Sequence, residues 1–202
     1  MDVAGAALTL GAVLFFAGAA NPRLFAVWTA EEAVQLRLIQ ARPRSWQVTN
    51  LLFAIATVLT AGGLTVTPDT IGPGGAPLAR VAVAMYGIAA VLWLASIIFR
   101  LVVTPAAADA FARSGTSEAG YAVAIRWSGG LFAAFTVTAG SSLAILGVAV
   151  VAGGALPGLV GWFSIVIGVV IVGGYLIARD MPPFVAYLPT LALGIATLLA
   201  RT

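Results

Sequence analysis

From Gly158 to Ala178 the chain carries no charged side chain, and comparable apolar runs recur along most of its length. A helix of roughly 20 apolar residues crosses the ~30 Å hydrocarbon core of a bilayer. Such a run satisfies its own backbone hydrogen bonds as a helix, which lipid cannot do for it. Composition agrees with that reading. Hydrophobic residues make up 61% of the chain and charged ones 8%, too little charge to cover a soluble domain. The expected fold is an all-α integral membrane protein. Six transmembrane helices form one bundle, in a single domain covering 1–202.

The expected helices run over about 3–20, 46–66, 78–103, 120–152, 158–178 and 184–200. The first stops at Asn21-Pro22, because the residue before a proline is pushed out of the helical region. Met1–Ala20 has the apolarity and small terminal residues of a secretory signal. Its leading charge is Asp2, however, with no basic residue, so it is expected to remain as the first helix.

The connector Asn21–Trp46 is the one long stretch that is not almost wholly apolar. Thr29 and Glu32 have the spacing of a capping box, which predicts a short cytoplasmic helix from there to about Ala41, ending before Pro43. Its apolar residues Val34, Leu36, Leu38 and Ile39 do not fall on one clean face. The other breaks are the loop Thr67–Pro77, a polar segment Thr104–Ala119, the uncharged turn Gly153–Pro157 and Arg179–Pro183. Pro189 is expected to kink the last helix. No internal repeat is visible, and only that last helix is interrupted by a proline.

Arginine placement orients the bundle. With six crossings, one side collects Arg23, Arg37, Arg42, Arg44, Arg100, Arg113, Arg126 and Arg179, leaving Arg80 and Arg201 on the other. The positive-inside rule then keeps Asn21–Trp46 in the cytoplasm and puts both termini on the non-cytoplasmic side. The net charge of +3 comes from arginines scattered at helix ends, which is not a nucleic-acid footprint.

Absent residue types exclude much chemistry. With no Cys there is no disulfide, thiol nucleophile or iron–sulfur ligation. With no His there is no histidine metal site and no His-dependent serine catalysis. All ten basic residues are arginine, so no lysine Schiff base can form. No catalytic residue, cofactor or metal is expected.

Two polar faces stand out. Thr138, Ser141 and Ser142 recur at helical spacing in the fourth helix, and Asn50, Thr57 and Thr60 do so in the second. They either pack helices together or line a polar cavity for a small solute or lipid headgroup; packing is the commoner use of such residues. Arg42, Arg44, Arg100 and Arg126 are candidate cytoplasmic contacts for an anionic headgroup or solute, since guanidinium suits phosphate and carboxylate. The plainer role for Arg100 and Arg126 is snorkelling, or pairing with Asp109, Glu118 or Asp180. Trp93 and Tyr86 lie deep in the third helix, where the indole N–H is expected to find a hydroxyl. Trp46, Trp127 and Trp162 read as interfacial belt residues. Gly161, Ser164 and Gly168 form a small-residue ridge for helix contact, within the protein or between copies. No carboxylate lies at mid-membrane depth, so an ion-coupled relay has no obvious carrier.

Leu156-Pro157-Gly158-Leu159-Val160-Gly161-Trp162, the glycine-rich fifth helix, Pro182-Pro183-Phe184, and Arg42-Pro43-Arg44-Ser45-Trp46 loosely resemble small bacterial multispanning proteins of the domain-of-unknown-function kind. That resemblance implies six helices in a bacterial inner membrane and carries over no functional residue. The leading reading is a non-enzymatic interaction or accessory subunit whose partners are the lipid bilayer and a membrane protein or second copy. The alternative is a small transporter or a lipid- or solute-binding protein using the second and fourth helices. An enzyme acting on a headgroup through residues such as Asp180 and Arg126 ranks third.

Overall fold

Prolines and glycines set the helix boundaries. The computed structural model describes residues 3–116 and 119–200; Asp2, Glu118 and Arg201 lie outside that range. α1 (Val3–Ala19) ends at Asn21, whose side chain caps a 3-10 turn (Pro22–Leu24) by accepting from the Arg23 N–H at 3.2 Å. The same amide donates to Thr49 Oγ1 at 3.0 Å. α2 (Phe25–Thr29) follows, and the segment Pro22–Thr29 is bent 50° from α1. α3 (Glu32–Ala41) leads to α4 (Pro43–Val66), which opens on proline where no N–H is needed. After the single turn α5 (Pro68–Ile71) come α6 (Ala76–Ser114), α7 (Ala119–Gly153) and α8 (Gly158–Ala178). A 3-10 turn (Pro183–Ala186) runs into α9 (Tyr187–Leu199).

Four of these helices, α4, α6, α7 and α8, are long and apolar enough to cross a membrane. The bent pair formed by α1 and Pro22–Thr29 makes a fifth candidate, whereas Pro183–Leu199 is a shorter apolar helix. The all-helical expectation holds among the described residues.

From α4 to α9 short connections place successive long helices side by side, while α1 reaches α4 across the longer α2–α3 connector. α1 packs on α4, α4 on α6, α6 on α7, α7 on α8, α8 on α9 and α9 back on α1, so the long helices close a ring in chain order. Its centre is aromatic. Phe15 stacks on Tyr187 and Phe53 at 3.9 and 4.4 Å between ring centres, and Trp93 stacks on Phe135 at 5.1 Å. α3 lies outside the ring against the C-terminal part of α6, burying Leu36 and Ile39 with Ala108 and Phe111.

That contact explains one difference from the sequence reading. The third helix does not stop near Val103; α6 runs through Pro105 to Ser114 and ends at left-handed Gly115 (φ 75°). Its alanine-rich last turns favour helix, and packing on α3 offsets the hydrogen bond that Pro105 removes.

Local corrections follow the same logic. Thr29 ends α2 with helical backbone, so Glu31 occupies the N-cap of α3, without a side-chain cap bond, and the Thr29–Glu32 capping box does not form. Pro189 lies in the first turn of α9, where the N–H has no intrahelical partner; the break sits upstream in the 3-10 turn. Trp46 is buried rather than a belt residue, while Trp127 and Trp162 are exposed as a belt would have them.

The ridge on α8 meets α7 closely. A Cβ on Gly161 would lie 2.7 Å from the Gly147 carbonyl oxygen, and one on Gly168 would lie 2.5 Å from that of Gly140. Only glycine allows backbones that near.

Candidate anion-binding site

Ser96, Arg100 and Thr104 recur every four residues on α6 and therefore share one face. Tyr121, Ile125, Ser128 and Phe132, spaced by four, three and four, share one face of α7. The two faces meet near the end of the ring covered by α2 and α3. Between them lies a cavity of about 240 Å³. Trp28, Gln35 and Trp46 supply its remaining polar and aromatic wall, and Gly129 sits at its edge.

Arg100 is the sole cation in this lining. Its guanidinium carbon is 4.9 Å from the ring centre of Trp93 and 5.8 Å from that of Trp28. Each contact is a cation–π interaction, and both rings exclude water from one side of the charge. Among the described residues no carboxylate lies within ion-pair distance of Arg100, and no hydrogen bond engages its guanidinium. The five N–H donors of the fork are thus held in a half-buried site with no internal anion to receive them.

The surrounding groups are already oriented. Trp46 Nε1 donates to the Arg100 carbonyl at 2.7 Å and anchors the α6 backbone to α4. Ser96 and Ser128 hydroxyls are 3.1 Å apart across α6 and α7. Gln35 Nε2 donates to the Val27 carbonyl at 3.1 Å, which ties α3 to α2. A ligand here meets one guanidinium and four hydroxyls, those of Ser96, Thr104, Tyr121 and Ser128, backed by aromatic rings.

Arg80 and Arg100 are twenty residues apart in one helix, and at 1.5 Å per residue that is about 30 Å, the thickness of the hydrocarbon core. Arg80 and Arg100 thus bracket an apolar stretch of membrane-spanning length in α6.

The other candidates lie elsewhere. Asn50 donates to the Trp46 carbonyl at 2.9 Å, and Thr57 to the Phe53 carbonyl at 2.7 Å. The Thr57 hydroxyl is also 3.0 Å from Tyr187 OH, so this face of α4 is turned into the ring centre. Thr60 is buried with no hydrogen-bond partner for its hydroxyl. On α7, Ser142 donates to the Ala82 carbonyl of α6 at 2.7 Å, with Thr138 and Ser141 half-buried. α4 and α7 are not adjacent in the ring: α4 packs on α1 and α6, α7 on α6 and α8. None of these six residues lines the Arg100 cavity.

Arg42 and Arg44 flank a separate cleft of about 480 Å³ with Arg23. Arg126 is exposed on α7 next to exposed Trp127. Trp93 is fully buried, and its Nε1 has no hydrogen-bond partner among the described residues, unlike the hydroxyl contact expected from sequence. Of the candidate binding residues named from sequence, Arg100 is the one that lines the α6–α7 cavity; Trp46, read there as a belt residue, lines it as well. The signal for the rest was the three- and four-residue recurrence on α6 and α7, hidden because Ser and Thr are routine in membrane helices.

Comparison with protein-family models, curated proteins and solved structures finds no match for this chain.

Proposed function

We propose that this is a multi-pass protein of a bacterial inner membrane that binds a small amphipathic anion in the Arg100 cavity. Its phosphate or carboxylate sits on the guanidinium and hydroxyls, and its apolar part lies against Phe99, Ile125 and Phe132. The observation that carries this reading is a half-buried arginine, gripped by two tryptophans and without a carboxylate partner among the described residues, facing a cavity of about 240 Å³. Guanidinium matches both anions in a planar fork. The volume suits a ligand smaller than most drug-sized molecules, which occupy pockets from about 300 Å³ upward.

The binding reading thus moves from the faces of α4 and α7 to the junction of α6 and α7. All six ring helices cross the bilayer in this proposal, with α3 and the Arg100 end in the cytoplasm and both termini on the far side. The closed ring in chain order and the arginine distribution support that topology. The interaction-subunit reading draws its support from α8, whose outward residues Leu159, Val166, Val169 and Ile177 are exposed.

The test is tryptophan fluorescence of the full chain in nonionic detergent, titrated with octyl phosphate, octanoate and inorganic phosphate. An amphiphile as the natural class requires both octyl compounds to outcompete inorganic phosphate; the reverse order would assign a free anion. Arg100→Gln should weaken binding by about 10- to 100-fold, the range for losing a charged hydrogen-bond partner worth ~1.5–3 kcal/mol. Arg126→Gln should leave it unchanged. Equal binding by wild type and Arg100→Gln would refute the assignment.

A further inference from the structure

Arg44 heads a second feature, separate from the Arg100 cavity. Positions 44, 48, 51, 55 and 58 of α4 recur at three- and four-residue intervals and share one face. Val48, Leu51, Ile55 and Val58 are each about half exposed, so the face is an uncovered apolar stripe under an exposed arginine. Beside Arg44, the 3-10 turn after α1 brings in Arg23, and the α3–α4 junction brings in Arg42. Together the three line the cleft of about 480 Å³, whose other lining residues are Ala41, Pro43 and Ser45. The Arg42 guanidinium donates to the Arg23 carbonyl, which fixes the turn against the start of α4. Three like charges converge, and no acidic residue lines the cleft among the described residues.

We infer that this cleft and stripe bind one anionic phospholipid, with its phosphate between Arg23 and Arg44 and an acyl chain along Val48–Val58. Length selects a lipid over a free anion. Val48 to Val58 is ten residues, or about 15 Å of helix, which is half the ~30 Å hydrocarbon core and so the depth of one leaflet. A soluble phosphate would use the arginines and leave the stripe without a role. Arg42 is a positioning residue here, because its Nη1 donates to the Arg23 carbonyl and ties the turn to the start of α4. The lipid site shares no residue with the Arg100 cavity, so either can fail alone.

The experiment is native mass spectrometry of the full chain released from detergent. Its probes are phosphatidylglycerol, phosphatidylcholine with identical chains, glycerol 3-phosphate and inorganic phosphate. Phosphatidylglycerol should be retained over phosphatidylcholine, and neither chain-less anion should displace it at equal concentration. Arg44→Gln and Arg23→Gln should each lower phosphatidylglycerol retention about fivefold, the factor expected for one basic residue near an anionic headgroup. Arg80→Gln, which removes the same charge from the opposite end of α6, should not. Leu51→Ser with Ile55→Ser should weaken both lipids, and the pattern should persist in Arg100→Gln. Equal retention of the two lipids, displacement by inorganic phosphate, or an equal effect of Arg80→Gln would each overturn the assignment. Unchanged helical circular dichroism identifies the variants that count.

Discussion

Gly129 separates the ligand cavity from the packing that surrounds it. It lines the cavity, and a Cβ built there meets no other atom within 4 Å. Gly129→Leu should therefore fill the cavity without straining the bundle, and replacing glycine within a helix gains up to ~1 kcal/mol of propensity. The expected outcome is unchanged or higher thermal stability together with at least tenfold weaker octyl phosphate binding. Intact binding would place the ligand elsewhere. Trp46 makes the opposite prediction. Trp46→Phe keeps the ring but loses the bond to the Arg100 carbonyl, which should cost ~0.5–1.5 kcal/mol in a denaturation midpoint. Both residues could be placed in helices from sequence, but neither could be assigned its contact. Trp46 sits at a helix start among arginines, where an exposed belt residue and a buried anchor look alike. Only the fold of α2 and α3 over it decides between them.

At the scale of helices, the α7–α8 seam depends on glycine. Gly161→Val would push a side chain into the Gly147 carbonyl, and overpacking of this kind costs ~1–3 kcal/mol. Gly173→Ala on the same helix, where a Cβ meets nothing within 4 Å, should be neutral or stabilising. Comparable losses at both positions would mean that α7 and α8 do not approach as described. The small-residue ridge was legible as such in the sequence, but not whether it faced the same chain or another copy. α6 was less legible. The polar segment from Thr104 read as an end, whereas packing of Leu36 and Ile39 against Ala108 and Phe111 carries the helix through Pro105. The capping-box signal of Thr29 and Glu32 failed for a related reason. Thr29 is claimed by the preceding turn of helix, so its backbone cannot serve as a cap.

For the whole molecule, apolar length and the proline and glycine breaks gave the helices, but not their arrangement: the ring closes through α1 against α9, the two ends of the chain, which no connection length predicts. What sequence could not supply was the inward turn of the α4 polar face, because the same Thr and Asn spacing serves a cavity or a seam. The proposed topology makes a direct prediction. A reporter active only in the cytoplasm should give no signal at the C-terminus and a strong signal when inserted after Gln40; a strong C-terminal signal would reverse the orientation. Arg100 would then belong to the opposite face of the membrane, with its chemistry unchanged.

The central claim is that Arg100, held between tryptophans and unpaired among the described residues, exists to hold an anion. Its most direct test is an experimental structure of the full chain with a bromine-labelled octyl phosphate. The account predicts phosphate density within hydrogen-bond distance of the Arg100 guanidinium, with the bromine signal among Ile125, Gly129 and Phe132. A saturated complex whose bromine lies outside that cavity, with Arg100 contacting no phosphate, would contradict it.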